Sequence, residues 1–287
     1  QNFINQYGKT INLFSQVRGG KFKGTCLEDT ITGENAFYDR LGSVIAGSAT
    51  RSSESGGTNT FADSPDNFIE HSRRMVTPTA YDVGLMLDRF DKVEMLVNPE
   101  SEYVQQQVTA LNRKHDIEFI KGALGAAATG KAGGSSVALK DLESGQQILT
   151  DTETIDGTTL TTGFNIEKIA FARQILESNG VNFDDPLNEA YLAVTPKQIR
   201  DLLSSEKATS SDYNTIKTLV RGEIDSFYGF KFIVSNLIPY ADSTEADGAH
   251  LSWSATTDLP AKETSTDNIR SCFAYVKSGV RQVTSPS

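Results

Sequence analysis

The longest regular pattern of hydrophobic and polar positions predicts one uninterrupted helix from Asn98 to about Gly125. Asn98 is suited to the N-cap and Pro99 to the first helical position, and acidic residues follow in the first turn. At ~1.5 Å per residue such a helix is about 40 Å long, which suggests a structural spine rather than the wall of a pocket. One apolar stripe along it is expected to face the core, with His115 on the same side: Val104, Val108, Leu111 and Phe119.

The first residues of the chain have the spacing of an amphipathic helix. Within residues 2–16 the apolar positions that recur at helical intervals are Phe3, Tyr7, Ile11 and Phe14. Gly8 weakens this pattern, and Gly19 and Gly20 end it. Because a detached arm cannot bury its apolar face alone, we expect it to dock on the rest of the chain or on a neighbouring subunit.

Two extended segments, at residues 21–41 and 68–87, flank a tip of small and polar residues at 46–66. This arrangement predicts a protruding two-stranded loop. Since an isolated hairpin is only marginally stable in water, the loop is expected to rest on another subunit. It is the first indication of a lattice-forming protein.

A second compact unit follows the Gly-, Ser- and Thr-rich residues 131–163, which we interpret as loop with short strands. Asn165 is expected to cap a helix through Ser178, and Asp184–Pro186 to form a turn. Thr195 and Pro196 are expected to start a helix that ends near Leu203. Strands are predicted at 190–194, 230–234 and 269–276, with a polar acidic loop at 239–267. Helices and strands are mixed without regular alternation, so the predicted fold class is α+β.

Composition argues against several classes of function. The formal net charge of −10 over 287 residues argues against binding nucleic acid by neutralising phosphates. Local basic groups, including Arg18 and the pair Arg73 and Arg74, are interpreted as solvated surface or inter-subunit pairing. Cys26 and Cys272 lack metal-ligand spacing and fit free thiols in a reducing compartment. No apolar run approaches a membrane span, and residues 1–20 do not resemble a secretory signal.

One segment, Gly125–Ala132, comes close to a phosphate-binding loop. That mechanism needs a hydroxyl after the lysine, a strand before the loop and a helix after it. Ala132 lacks the hydroxyl, and a predicted helix precedes, so we interpret the segment as a flexible helix exit. Trp253 lies in a polar loop without aromatic partners nearby, which gives no stacking platform for bases. We find no paired carboxylates, metal-ligand spacing or nucleophile elbow, and we expect neither a cofactor nor an enzymatic activity.

Three stretches of the chain resemble the major capsid proteins of tailed bacteriophages, which have the Hong Kong 97-type fold. They are Tyr81–Asp91 with the following Asn98–Tyr103, then Arg113–Ala127, and finally Gly222–Pro239. No single motif is diagnostic. The order of the parts carries the resemblance, which covers most of residues 1–276.

The resemblance implies a role for each part of the chain. Residues 1–20 are the N-terminal arm, 21–97 the extended loop with strands of the peripheral domain, and 98–159 the spine helix with the peripheral domain. Residues 160–268 are the axial domain, and 269–287 return to the peripheral domain. Relatives continue with further strands after this return, so we expect the C-terminal strands to be missing from this sequence.

The implied function is a major capsid protein that self-assembles into an icosahedral shell around packaged double-stranded DNA, without sequence-specific binding. The implied partners are other copies in hexamers and pentamers, a scaffolding protein, a portal and a decoration protein. Assembly is expected in the host cytoplasm, with the protein ending in the virion. A cellular encapsulin-like nanocompartment and a nucleotide-binding enzyme stay open as alternatives. The predicted inter-subunit contacts are Phe3, Tyr7, Arg18, Glu54, Arg73 and Arg74.

Overall fold

The computed structural model describes residues 20–42, 44, 69–84, 100–137, 153–155, 158–160, 163–204, 226–240, 253, 258–260 and 270–284. Their fold is a mixture of helices and strands, which confirms the α+β prediction. The helices are α1 (Glu100–Leu124), α2 (Ile166–Ser178) and α3 (Pro196–Ser204). The strands are β1 (Leu27–Thr30), β2 (Ala36–Leu41), β3 (His71–Val76), β4 (Ala127–Thr129), β5 (Ser135–Val137), β6 (Glu153–Ile155), β7 (Thr158–Leu160), β8 (Ala190–Val194), β9 (Ser226–Phe227), β10 (Phe230–Val234), β11 (Phe273–Val276) and β12 (Arg281–Thr284).

The central sheet has the strand order β11–β8–β10–β9. Strands β8 and β10 run parallel, with Ala190 opposite Phe230, whereas β11 runs antiparallel to β8. Every residue of β8 is buried. A strand buried on both faces reads as a continuous apolar run, and this is why Ala190–Val194 could be predicted from sequence alone.

Helices cover both faces of this sheet. On one face α1 contributes Ile117, Phe119 and Ile120 to a core shared with alternate sheet residues such as Tyr191 and Tyr275. The opposite face packs against α2 and α3. The buried residues of that second core are Ile166, Ile169, Ala190, Leu192, Val194, Leu202, Phe227, Phe230 and Val276. Because side chains alternate across a strand, β8 serves both cores at once.

Helix α1 has the predicted position but not the predicted buried face. Val104, Val108 and Leu111 are 57%, 50% and 39% exposed. Of the predicted stripe, only Phe119 is buried. The buried face consists of Thr109, Asp116, Ile117, Phe119 and Ile120. Two residues of that set, Thr109 and Asp116, are polar. A search for apolar residues at helical spacing therefore could not identify this face, because it does not count a carboxylate that is buried by hydrogen bonding.

The start signals of α2 and α3 act as predicted. The Asn165 side chain accepts a hydrogen bond from the backbone N–H of Lys168 at 3.0 Å. Past the end of α2, Gly180 has a φ of 85°, a conformation that favours glycine. At α3 the Gln198 side chain accepts the backbone N–H of Thr195 at 3.2 Å, so the first turn closes on its own cap.

A second, antiparallel sheet has the order β2–β3–β4–β5. Its β2–β3 pair confirms that the two predicted extended segments are partners, from Ala36 opposite Val76 to Leu41 opposite His71.

The prediction of a flexible helix exit was wrong, since β4 and β5 form a hairpin instead. Gly133 lies in that connection with a φ of 74°, and a β-carbon there would come within 2.5 Å of the Met75 side chain. Local sequence gave no sign of this long-range contact.

Two small two-stranded sheets complete the described part. Strands β6 and β7 form an antiparallel pair within the segment interpreted as loop with short strands. Strand β1 pairs in parallel with β12, with Leu27 opposite Arg281. The sequence analysis missed β12, because a four-residue polar strand has no clear alternation. It also began the preceding strand at 269, whereas β11 starts at Phe273.

Candidate assembly interface

One face of the β2–β3 pair presents an organised set of exposed side chains. Arg73 donates two hydrogen bonds to Asp39, from Nε to Oδ1 at 2.6 Å and from Nη2 to Oδ2 at 3.3 Å. The guanidinium also lies 5.9 Å from the centre of the Phe37 ring. The hydrogen bond from Arg73 lowers the pKa of Asp39 and raises the pKa of Arg73 itself. The face therefore combines an aromatic ring with a fixed ion pair in solvent.

The opposite face of the pair is attached to the β1–β12 sheet. Tyr38 donates its hydroxyl to Asp29 Oδ2 at 3.0 Å, and Arg281 lies 4.8 Å above the Tyr38 ring. Arg281 Nη1 also contacts Asp29 Oδ2 at 3.3 Å. Hydrogen bonds lower the pKa of Asp29, the larger effect coming from the backbone N–H of Thr30 and the next from the Tyr38 hydroxyl. Burial, followed by Asp29, raises the pKa of Tyr38. This network joins the β2–β3 pair to the β1–β12 sheet.

Apolar side chains are exposed around the β2–β3 pair. Phe37 is 46% exposed and Leu41 is 60% exposed. Val44 and Ile69 are also exposed, just beyond the ends of the two strands, where Gly42 N–H still donates to the carbonyl of Glu70 at 2.7 Å. Clustered apolar exposure of this kind marks an interaction surface. The pair thus carries apolar groups that are exposed in the described part of the chain.

The segment after β3 is held against α1. Tyr81 donates its hydroxyl to Glu118 Oε1 at 2.5 Å, and Lys121 Nζ binds the same oxygen at 2.6 Å. The hydrogen bond to Glu118 raises the pKa of Tyr81 to about 12. Burial acts to raise the pKa of Glu118, but hydrogen bonds from Lys121 and Tyr81 hold it below its usual value. The extended chain leaving β3 is therefore tied to the helix.

A buried carboxylate fixes the point where residues 1–19 join the fold. Asp116 on α1 is 1% exposed and accepts the backbone N–H groups of Lys21 at 3.0 Å and Phe22 at 3.3 Å. The Lys21 ammonium donates to the Val234 carbonyl, and the Phe22 ring stacks on Phe119 at 4.8 Å. Burial raises the pKa of Asp116, although the two N–H donors oppose this effect. Lys21 and Phe22 are thus bound firmly to α1.

Trp253 is not an isolated residue of a polar loop, as the sequence suggested. Its Nε1–H donates to the carbonyl of Leu237 at 2.8 Å, and the ring packs against the core beside α1. Lys121 Nζ lies 5.8 Å from the ring centre. Nearby, Lys114 pairs with Asp258 at 2.5 Å. These contacts attach a distant part of the chain to α1, and their partners are too far away in sequence to be read locally.

The predicted contact residues can be placed only in part. Arg73 and Arg74 occupy neighbouring positions on β3, so they point to opposite faces: Arg73 is exposed opposite Asp39, and Arg74 is half-buried opposite Tyr38. The remaining four lie outside the described residues: Phe3, Tyr7, Arg18 and Glu54. Sequence analysis missed Phe37 and Leu41 as contact candidates. The two residues are an even number of positions apart on β2, so they lie on the same face of the strand. That spacing is the signal that could have identified them.

The alternative chemistries find no support in the described part of the chain. The near match to a phosphate-binding loop lies on a helix-to-strand connection and the β4–β5 hairpin, and the next described element after it is strand β5. Among the described residues, no three His, Cys, Asp or Glu side chains are grouped so that they could hold a metal ion. His115 instead contacts Gln282 on β12, with Nδ1 and Nε2 3.2 Å apart. None of the described helices is long and apolar enough for a membrane span.

Comparisons with known proteins identify a family and a similar fold. The model of a family described as phage capsid protein matches residues 1–284. The capsid structure of cyanophage P-SCSP1u is similar over 98% of this chain and 79% of that one, with a TM-score of 0.54 and 16% identity. The mature capsid of bacteriophage PhiM1 matches over 88% and 73% of the two chains, with a TM-score of 0.47 and 16% identity. A comparison with curated proteins finds no match.

Proposed function

The chain belongs to the phage capsid protein family, and from that membership we propose that it forms an icosahedral shell of the Hong Kong 97 type around packaged double-stranded DNA. A phage capsid protein forms shells and resides in the virion capsid, and its role is structural. The observation that carries the proposal is the match of the capsid family across residues 1–284. The capsid fold of the cyanophage structure supports the architecture.

The proposed parts follow the sequence boundaries. Residues 1–20 act as the arm, 21–97 as the extended loop with peripheral strands, and 98–159 as the spine helix with the peripheral domain. Residues 160–268 form the axial domain, and 269–287 return to the peripheral domain. The 25-residue helix α1 and the antiparallel β2–β3 pair support the second and third assignments. The shared core of α1 and the central sheet means that any peripheral and axial parts are packed directly on each other.

We propose that subunits meet through the exposed face of the β2–β3 pair. Arg73 with Asp39 supplies a fixed charge pair, and Phe37 supplies apolar area. An ordered guanidinium on a ring loses little conformational entropy when a partner binds, which suits a contact repeated many times in hexamers and pentamers. Further proposed contacts are Arg74, Phe3, Tyr7, Arg18 and Glu54.

The acidic charge of the chain fits a container rather than a DNA-binding protein. A formal net charge of −10 gives weak repulsion between the wall and the phosphates, so packaged DNA can slide. Contacts with a scaffolding protein, a portal and a decoration protein, and assembly in the host cytoplasm, are part of the same proposal. None of these partners requires a cofactor.

The proposal is tested by expressing the full chain with its neighbouring head genes and imaging the products by electron microscopy. We expect closed icosahedral particles whose main band is this protein and whose DNA resists nuclease. Arg73→Glu places a negative charge beside Asp39 and should reduce particle yield, whereas Arg73→Lys keeps the charge and should retain most of it. Unfolding curves of the subunits establish that both variants fold.

The competing outcomes are distinct. Shells that hold a protein cargo and no DNA would favour the nanocompartment. Micromolar ATP binding that is lost in Lys131→Ala would revive the nucleotide-binding alternative. Absence of this protein from purified virions would contradict the capsid role itself.

A further inference from the structure

The parallel strands β8 and β10 begin at one end of the central sheet, and exposed apolar side chains stand there. Because Ala190 lies opposite Phe230, the segment before β8 and the turn before β10 come together at this end. Residues of both line a cavity of about 240 Å³. Leu187 in the first segment is 73% exposed, and Tyr228 in the turn is 43% exposed. We call these two residues, with the nearby exposed Asp184, the strand-start surface.

Tyr228 occupies a turn position that favours other residues. Tyr228 and Gly229 join β9 to β10 with φ values of 53° and 83°, as in a type I′ turn, where Asn followed by Gly is the preferred pair. A tyrosine there costs backbone energy. The turn is nevertheless held in place, because the Tyr228 carbonyl accepts Arg173 Nη1 at 3.3 Å and its ring meets Phe227 edge to face at 5.1 Å. Folding of the turn therefore does not explain the exposed ring.

Leu187 is also presented by an ordered backbone. Its N–H donates to Asp185 Oδ1 at 2.9 Å, and the Asn188 N–H donates to the Asp185 carbonyl at 2.9 Å. The Asn188 side chain donates to the Asn182 carbonyl at 3.3 Å and accepts the Ser278 hydroxyl at 2.7 Å. An apolar side chain on a fixed backbone loses little conformational entropy when a partner covers it.

The charges around the strand-start surface select the partner. The cavity lining includes three carboxylates and one ammonium, from Asp184, Asp185, Glu189 and Lys231. Lys231 Nζ binds Glu189 Oε1 at 2.7 Å, and Asp185 is occupied by the Leu187 N–H. Within the described part of the chain, the Asp184 carboxylate makes no hydrogen bond or ion pair. The surface therefore suits a partner that brings a cation next to aliphatic groups.

A surface of that kind lies at the other end of the same sheet. Helix α3 begins at Pro196, directly after β8, whose five residues span about 13 Å at ~3.3 Å per residue. Lys197 and Arg200 are exposed and three residues apart, so they are neighbours on the outer face of α3. We call these two residues the α3 surface. The Arg200 side chain is 74% exposed, and its contact with Asp201, at 3.4 Å from Nη2, leaves its other nitrogens accessible.

We infer that the strand-start surface of one copy binds the α3 surface of a second copy, with Arg200 against Asp184 and Lys197 over the Tyr228 ring. Leu187 packs on the aliphatic stems of both basic side chains. The two surfaces differ and lie at opposite ends of one sheet, so the contact is head-to-tail, the type that builds closed rings. The inference rests on the proposed shell function, whose hexamers and pentamers are such rings, and it names the surfaces that meet within them.

A charge exchange in the full-length chain tests the pairing. Asp184→Arg and Arg200→Asp should each raise the protein concentration needed for ring formation at least about tenfold, because like charges then face each other. The chain with both substitutions restores opposite charges between copies and should return to within about threefold of wild type. Glu34→Arg, an equal charge change at an exposed position outside both surfaces, is the control and should not be rescued by Arg200→Asp.

Tyr228→Asn separates recognition from folding. Asn before Gly229 suits the turn, so urea unfolding of the subunit should need as much denaturant as in the wild type or more. The concentration needed for rings should nevertheless rise at least about fivefold, because the exposed ring is lost. Tyr228→Phe keeps the ring and is the matched control, which should assemble like the wild type.

Analytical ultracentrifugation measures the rings, and electron microscopy of the same samples shows whether closed particles form. The inference is overturned if the wild type forms no rings, if the doubly exchanged chain assembles no better than the single variants, or if Tyr228→Asn weakens folding and leaves rings intact. Closed particles from every charge variant would count against this contact and not against the shell. Rings that respond to the exchange but never close into particles would count against the shell and support the contact.

Discussion

The two four-stranded sheets of this protein differ in where their stabilisation comes from. The central sheet has helices on both faces, and all five residues of β8 are buried. The β2–β5 sheet has no fully buried residue in β2, and Phe37 and Leu41 face solvent. The first sheet is stabilised within one subunit. The second carries exposed apolar groups of the kind that mark an interaction surface.

The largest effect is expected from Phe230→Ala in the central sheet. Phe230 is completely buried and meets the Phe183 ring edge to face at 5.9 Å. Truncating it leaves a cavity between the sheet and α2, so the free energy of unfolding should fall by about 3–5 kcal/mol. Urea denaturation followed by circular dichroism measures this. Leu187→Ala, at a position 73% exposed, should change stability by no more than about 0.5 kcal/mol. Equal losses in the two variants would contradict the comparison.

Next in size is Gly133→Val in the second sheet. The residue has a φ of 74°, and an added side chain would collide with Met75. Backbone strain and overpacking together should cost about 2–3 kcal/mol. Faster hydrogen exchange should be confined to β3, β4 and β5. Gly134→Val is the matched control, because a β-carbon there meets nothing within 4 Å. Exchange that also increases in β8 would show that the two sheets unfold as one unit.

The same contrast explains what the sequence could predict. The caps at Asn165 and Thr195 act within four residues, and the apolar run Ala190–Val194 signals burial on both faces. These features depend on local chemistry, so they were found. The α1 position was also predictable, because nothing between residues 100 and 124 interrupts a helix.

The features that sequence analysis missed depend on contacts between residues far apart in the chain. The buried face of α1 includes Asp116. Its partners are the backbone N–H groups of Lys21 and Phe22, which precede it by 95 and 94 residues. Strand β12 exists because β1 lies beside it. The β4–β5 hairpin needs Gly133 to fit against Met75. In each case the deciding partner is remote, and no periodicity in the local sequence encodes it. All six predicted contact residues stay predictions, and four of them lie outside the described part.

A smaller effect, dependent on pH, is expected where Lys21 and Phe22 meet α1. A carboxyl whose pKa is higher in the folded chain than in the unfolded one binds its proton more tightly when folded. Burial raises the pKa of Asp116 above its ordinary 3.8. Its stabilising contribution is therefore complete below that value and is lost as pH rises through the folded pKa.

Asp116→Asn removes this titration. The unfolding free energy of the wild type minus that of the variant should fall as the pH is raised from about 3 to about 7. Urea denaturation at a series of pH values measures the difference. Asp184→Asn, at an exposed position of the turn before β8, is the control. A difference that increases with pH would mean that the N–H groups of Lys21 and Phe22 outweigh burial.

The smallest effect on the subunit, and the sharpest separation of the two sheets, is expected from Phe37→Ala. Because the ring is already 46% exposed, its loss should change subunit stability by no more than about 0.5 kcal/mol. In the proposed shell, however, the ring is covered by a neighbour. Losing an apolar contact at every repeat should raise the protein concentration needed for particle formation at least about tenfold.

The control is Arg40→Ala, on the other face of β2, which should leave that concentration nearly unchanged. Light scattering during assembly measures both. If Phe37→Ala destabilises the subunit and leaves assembly intact, the exposed face belongs to the subunit's own packing, and the contrast between the two sheets fails at the residue that defines it.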